Sequence, residues 1–209
     1  MQDHVSRTVA VYDTIAKEYA DAIENFAPKK ERQKFLTLIP KGDKILDVGC
    51  AAGRDSFYFA ENGLKVVGID LSEELLKLAR KRESHVDFQK QDIRKLKFAA
   101  NFFDGIWACA SVLHLKREEI PEAFKQFYKL LKPNGILFIS VKRGDGEVDV
   151  VDKRVPGLGR HFTLFQQDEL KSRLVEAGFI VDQIYTWNKK DLYPEHPDSD
   201  WIASFSRKK

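Results

Sequence analysis

The sequence predicts an α/β protein whose core is a mostly parallel sheet. Three observations predict it: strand-like and helix-like stretches alternate from residue 44 to about residue 141, the strand-like runs are short and apolar, and glycine, serine or proline stands at the junctions. Parallel strands need crossover helices, so alternation of this kind places helices on both faces of the sheet.

The elements follow in order. Val9, Tyr12, Ile15, Ala16, Tyr19, Ala20 and Ile23 recur at three- and four-residue spacing and predict one amphipathic helix, and a second helix is expected between Pro28 and Pro40. Residues 44–48 form an apolar run closed by Gly49, the pattern of a buried first strand entering a turn. There follow a helix at about 54–62, strand 64–69, helix 73–82, strands 86–89 and 103–109, helix 118–131 and strand 135–141. Ser72 is suited to cap the helix that continues with Glu73 and Glu74, and Asn134-Gly135 after Pro133 is expected to end another. A polar, glycine-bearing stretch from Lys142 to Arg160 interrupts the pattern, after which a helix at 166–177 and strands near 179–186 and 200–206 complete the chain.

Composition bounds the function. The 209 residues suit one domain, expected here to span 1–209, and 43% hydrophobic content is enough for a core. With 35 basic and 32 acidic residues the net charge of +3 gives no reason to expect nucleic acid, and part of it lies in the terminal Arg207-Lys208-Lys209. Cys50 and Cys109 each sit in an apolar run and fit a reducing cytoplasm better than a disulfide. No metal site is expected, no run approaches the length of a membrane span, and the opening residues lack the pattern of a secretory signal. A cytoplasmic location is therefore the expectation.

In an open parallel sheet, ligands bind beyond the carboxyl ends of the strands, so chemistry is sought in the strand-to-helix turns. The first turn holds Asp47-Val48-Gly49-Cys50-Ala51-Ala52-Gly53-Arg54, where glycines permit close approach of a ligand and the following helix offers free N–H groups. The second turn places Asp70 at a separation from those glycines that suits a ribose diol. The third holds Gln91-Asp92-Ile93, a carboxylate beside an aliphatic side chain.

These pieces, with Phe103-Asp104-Gly105-Ile106-Trp107-Ala108-Cys109-Ala110-Ser111 and Leu131-Lys132-Pro133-Asn134-Gly135, resemble the class I methyltransferases that use S-adenosylmethionine, in particular small bacterial proteins similar to the tellurite-resistance and thiopurine methyltransferases. The resemblance implies a doubly wound, Rossmann-like sheet of about seven strands with the last antiparallel. It implies S-adenosyl-L-methionine as cofactor, with Asp47, Gly49, Cys50 and Gly53 around its methionyl part, Asp70 on the ribose, and Leu71, Asp92 and Ile93 at the adenine. It further places Ala108 along the strand that faces the donor and Tyr19 in a helical cap over it (residues 1–40). Tyr12, an aromatic at helical spacing, is expected in the core. The family usually has glycine where this chain has Ala51.

On the acceptor side, His114 follows strand 103–109 at the edge that the resemblance turns toward the methyl group, and its side chain type suits proton transfer near neutral pH. Lys142, Arg143, Arg160 and His161 lie in the late insertion, residues 142–165, which has the position of a substrate lid and the charge to meet an acidic acceptor. The expected function is methyl transfer to a small molecule by a monomer or homodimer. Two alternatives are a donor-binding regulatory module without catalysis and an NAD-dependent oxidoreductase. The latter requires glycine at the first, third and sixth turn positions, which here are Gly49, Ala51 and Arg54.

Overall fold

The computed structural model describes residues 3–82, 85–188, 190 and 200–209. Its elements are α1 (His4–Thr14), α2 (Ala16–Glu24), α3 (Lys29–Leu38), β1 (Lys44–Val48), α4 (Arg54–Glu61), β2 (Lys65–Asp70), α5 (Glu73–Arg80), β3 (Asp87–Lys90), β4 (Phe103–Cys109), α6 (Ile120–Leu130), β5 (Leu131–Lys142), β6 (Glu147–Val151), β7 (Gly159–Thr163), α7 (Gln167–Glu176), β8 (Phe179–Asn188) and β9 (Asp200–Lys208), with a 3-10 turn at Val112–His114.

Seven strands form one sheet in the order β3-β2-β1-β4-β5-β9-β8. β1 pairs in parallel with β2 and β4, and β5 continues the parallel run beside β4. Only the last strand is reversed, because β9 inserts between β5 and β8 and is antiparallel to both. The chain winds outward from β1 through β2 and β3, then returns to start the other half at β4. The carboxyl ends of β1 and β4 therefore diverge into helices on opposite faces and leave a crevice between them.

Strand β4 shows how the two faces are filled. Ile106 and Ala108 point into the cluster that holds Phe124 and Phe127 of α6 and Leu170 and Leu174 of α7. Trp107, between them, points the other way, to Phe35 of α3, Ile39 just beyond it and Phe59 of α4. Its ring stacks on Phe138 at 3.9 Å. Alternation along a strand buried on both sides is why the run reads as uninterrupted apolar sequence.

Three expectations are corrected. The single helix expected across Val9–Ile23 is two helices meeting at Ile15, whose φ of −107° and ψ of 18° leave helical geometry. Thr14 Oγ1 donates to Ala10 O at 2.8 Å, a back-bond that bends helices, and the apolar spacing carries across the break because both helices face the sheet edge. Pro133-Asn134-Gly135 does not end a helix. α6 stops at Leu130, and Asn134, with φ of 64°, lies in an irregularity of β5 where the pairing moves from Phe103–Leu131 to Gly105–Ile136. Finally, the polar stretch after Lys142 contains the hairpin β6–β7, whose first strand has all five residues exposed and so lacks any buried face to mark it in sequence.

Candidate active site

The first turn is built by close contacts that side chains forbid. Gly49 has φ of 72°, and a Cβ there would lie 2.5 Å from Ser111 Cβ. Gly49 and Cys50 both donate their N–H to Ile69 O, at 2.8 and 2.9 Å, which ties the turn to β2. Ala51 is also left-handed, with φ of 50°. Its N–H donates to Asp70 Oδ2 at 2.9 Å, while Ser72 N–H donates to Asp70 Oδ1 at 2.9 Å. The Ala51 strain of about 1–2 kcal/mol is offset in part by this charge-assisted bond. Burial raises the pKa of Asp70, and the backbone amides oppose that shift.

Two adjoining cavities open above this turn. The first is walled by Val48, Gly49, Ile69, Asp70, Leu71, Gln91 and Ile93 and roofed by Val5, Thr8 and Val9 of α1. The second has Asp47, Cys50 and Arg54 on its floor and Cys109, Ser140, Lys142, Arg160, Phe162, Trp187 and Trp201 around it. Tyr12, Tyr19, Gly49, Ala51, Ala110 and His114 border both. The rings of Tyr12 and Tyr19 meet edge to face, 4.8 Å between centroids.

His114 stands where the cavities meet. Its Nδ1 lies 2.8 Å from His161 O, and a carbonyl only accepts, so Nδ1 carries the hydrogen. Nε2 is then the unprotonated nitrogen and accepts from Tyr12 Oη at 3.0 Å. Tyr12 Oη in turn accepts from Arg160 Nη1 at 3.3 Å. Burial lowers the His114 pKa to about 4, which keeps the ring neutral at physiological pH, and burial raises that of Tyr12, which keeps its hydroxyl protonated. The result is a row of donors running from Arg160 through Tyr12 to His114, with a basic nitrogen inside it. Arg160 is held by Asp152 at 3.1 Å, whose own carboxyl is lowered to about 2 by the Arg154 hydrogen bond.

Most of the expected site residues arrive at the cavities: Tyr19, Asp47, Gly49, Cys50, Asp70, Leu71, Ile93, His114 and Arg160. Five do not. Asp92 is paired with Arg94 at 2.7 Å, and its neighbours Gln91 and Ile93 face the cavity instead. Ala108 is buried in the sheet core, while Cys109 and Ala110 line the opening. Gly53 borders neither cavity, and a Cβ there would lie 2.7 and 2.8 Å from Phe57 and Phe88. Arg143 pairs with Asp200 at 3.2 Å. His161 is buried against Asp149 at 2.9 Å, and it reaches the site only through the carbonyl that orients His114.

Lys142, named with the cations of the insertion, lines the second cavity; Tyr12, expected in the core, is a central wall of the site, and Trp187 and Trp201 join it from strands whose sequence pattern carries no mark of a pocket. The seven-residue spacing of Tyr12 and Tyr19 was the available signal for Tyr12. Among the described residues no group of three or more His, Cys, Asp or Glu is placed to hold a metal ion, and no helix is long and apolar enough to cross a membrane.

Residues 45–135 match the family described as Methyltransferase domain. The chain is 40% identical over 191 residues to Phosphoethanolamine N-methyltransferase 3 of Arabidopsis thaliana, which covers 85% of this chain and 38% of that protein. It is 40% identical over 116 residues to Phosphoethanolamine N-methyltransferase of Triticum aestivum, 53% of this chain and 22% of the relative. The chain thus spans well under half the length of these curated relatives. Among solved structures, the 1,6-didemethyltoxoflavin-N1-methyltransferase of Burkholderia thailandensis, with bound 1,6-didemethyltoxoflavin and S-adenosylhomocysteine, superposes with a TM-score of 0.76 at 22% identity, covering 97% of this chain and 88% of that one. Phosphoethanolamine N-methyltransferase 2 of Haemonchus contortus, in complex with phosphomonomethylethanolamine and S-adenosylhomocysteine, gives 0.72 at 16% identity, covering 100% of this chain and 60% of that one.

Proposed function

We propose that this chain, whose residues 45–135 match the family described as Methyltransferase domain, binds S-adenosylmethionine across the two cavities and methylates a small acceptor bearing an anionic group. The observation that carries this reading is the join of the cavities, where a half-buried carboxylate fixed by two backbone amides stands on one side and the Arg160–Tyr12–His114 row on the other.

The residues present fit the donor. Asp70 offers acceptor oxygens suited to a ribose diol, Leu71 and Ile93 offer apolar surface for a flat base, and the turn at Gly49 lets a ligand approach backbone. When bound, the donor supplies an electrophilic methyl group on a sulfonium. The protein's part is then alignment and exclusion of water, which suffice for a good nucleophile. Tyr12 and Tyr19 wall the junction, and α1 roofs it. His114 Nε2, neutral and unprotonated, takes a proton from an acceptor directly or through the Tyr12 hydroxyl. Arg160 and Lys142 place positive charge beside the junction for an acidic group. Residues 1–40 serve as a cap and 142–165 as the acceptor-side lid of one unit spanning 1–209.

Phosphoethanolamine, the acceptor class named for the Arabidopsis and Haemonchus relatives, supplies such an anion and is the first compound to test. With methyl-labelled donor, label should appear in an acidic acceptor. Arg160→Ala should raise KM or lower kcat/KM for that acceptor and leave donor affinity unchanged. Donor binding without transfer to any acidic or neutral acceptor would reduce the chain to a binding module.

A further inference from the structure

Asp47, next to last in β1, lies on the floor of the second cavity and is 2% exposed. Among the described residues its one hydrogen bond comes from Ser56 Oγ at 2.5 Å. The charged and titratable groups facing it are Asp55 and Arg54 of α4, Asp70 of β2 and the thiols of Cys50 and Cys109. The nearby cations are already taken. Asp55 accepts from Arg54 Nε and Nη2 at 3.0 and 2.7 Å, from Arg32 Nη1 at 3.3 Å and from Trp107 Nε1 at 3.0 Å. Asp55 is therefore the ionised member of the pair, and burial together with its neighbouring charge holds the Asp47 carboxyl well above the usual carboxylate range. A buried carboxylate without a bonded cation is costly, and protonation removes the cost.

Resting on the reading of the site as a donor pocket, we propose that Asp47 is protonated in the empty protein and ionises when a ligand ammonium group docks beside it, so that donor uptake releases a proton. The O–H bond of Asp47 breaks, its electron pair stays on the carboxylate, and the proton passes to buffer. The ligand ammonium keeps its own protons and becomes the cation paired with Asp47, since Arg54 on the same floor is committed to Asp55. Affinity for the donor then depends on pH, although no group of the donor titrates between pH 6 and 7.

Calorimetric titration of S-adenosylmethionine at pH 7 in phosphate and in Tris, whose ionisation heats differ, reads the proton count. The expected result is release of about one proton per donor bound, with affinity rising about tenfold from pH 6 to pH 7. 5′-Deoxy-5′-methylthioadenosine shares the nucleoside but has no ammonium group, and should bind without release. Asp47→Asn should bind the donor with no release and an affinity flat over that range. Donor binding with the same heat in both buffers overturns the proposal, as does equal release with methylthioadenosine, which would assign the proton to Asp70. Absence of donor binding under all conditions overturns the proposed function, and this inference with it.

Discussion

Burial at the junction lowers the His114 pKa to about 4 and keeps one ring nitrogen free of a proton, which sets two expected outcomes. First, if Nε2 is the base, His114→Ala lowers kcat by about 10²–10⁴, and the wild-type rate falls through about pH 4 rather than between 6 and 7. A rate limb centred near 6.5 that disappears in His114→Ala would contradict the buried, neutral ring. Second, the unfolded chain takes up a proton near pH 6.5 that the folded chain refuses until about pH 4, so stability falls as pH drops through that window, by up to about 3 kcal/mol. Denaturant melts at pH 7 and pH 5 should show the loss, and His114→Asn should flatten it. The same scale shows what sequence leaves undecided. Asp92 and Ala108 were each placed one or two positions from a residue that does line the site, because side chains reverse direction at every step of an extended chain and the phase at a strand end is fixed only by the turn that follows. Arg143 and His161 were expected at the acceptor by charge, but Asp200 and Asp149 lie closer.

At the scale of elements, α1 and the β6–β7 hairpin are tied to each other. Thr8 Oγ1 accepts from His161 N–H at 3.0 Å, Arg7 pairs with Asp149 at 3.2 Å, and Arg160 reaches Tyr12 at 3.3 Å. Cap and lid should therefore respond as one. Hydrogen exchange in α1 and in residues 147–163 is expected to slow together when donor binds, and protection gained in one alone would contradict the coupling. The inner elements were legible because their signals are local: β1, β2 and β4 are apolar runs with glycine or serine at the exits, and Ser72 does cap α5, accepting from Leu75 N–H at 3.2 Å. The break at Ile15 and the hairpin were not legible. One is decided by packing on both sides of a continuous apolar stripe, and the other has an outer strand with no buried face.

For the whole molecule, β1 and β4 run parallel while the order of winding reverses between them, which puts the donor-side residues at one end of the sheet, and the seven-strand sheet with its reversed last strand was expected from the order of elements together with the family resemblance. The close seat of α3 on the sheet depends on Gly105, where a Cβ would lie 2.2 Å from Ile39 Cδ1 and 2.8 Å from Phe35. Gly105→Ala should cost about 1–3 kcal/mol by overpacking, measured as a lower Tm, whereas an unchanged Tm would mean that α3 shifts freely. The central claim is that this edge holds S-adenosylmethionine with Asp70 on its ribose. Its most direct test is the equilibrium affinity of S-adenosylmethionine for the wild-type chain and for folded Asp70→Ala, with Asp70→Asn as the milder change. The expected result is binding to the wild type that weakens about ten- to hundredfold in Asp70→Ala, the loss of one charge-assisted hydrogen-bond partner. Equal affinity in the two folded proteins, or tighter binding of a nicotinamide dinucleotide than of S-adenosylmethionine, would contradict it.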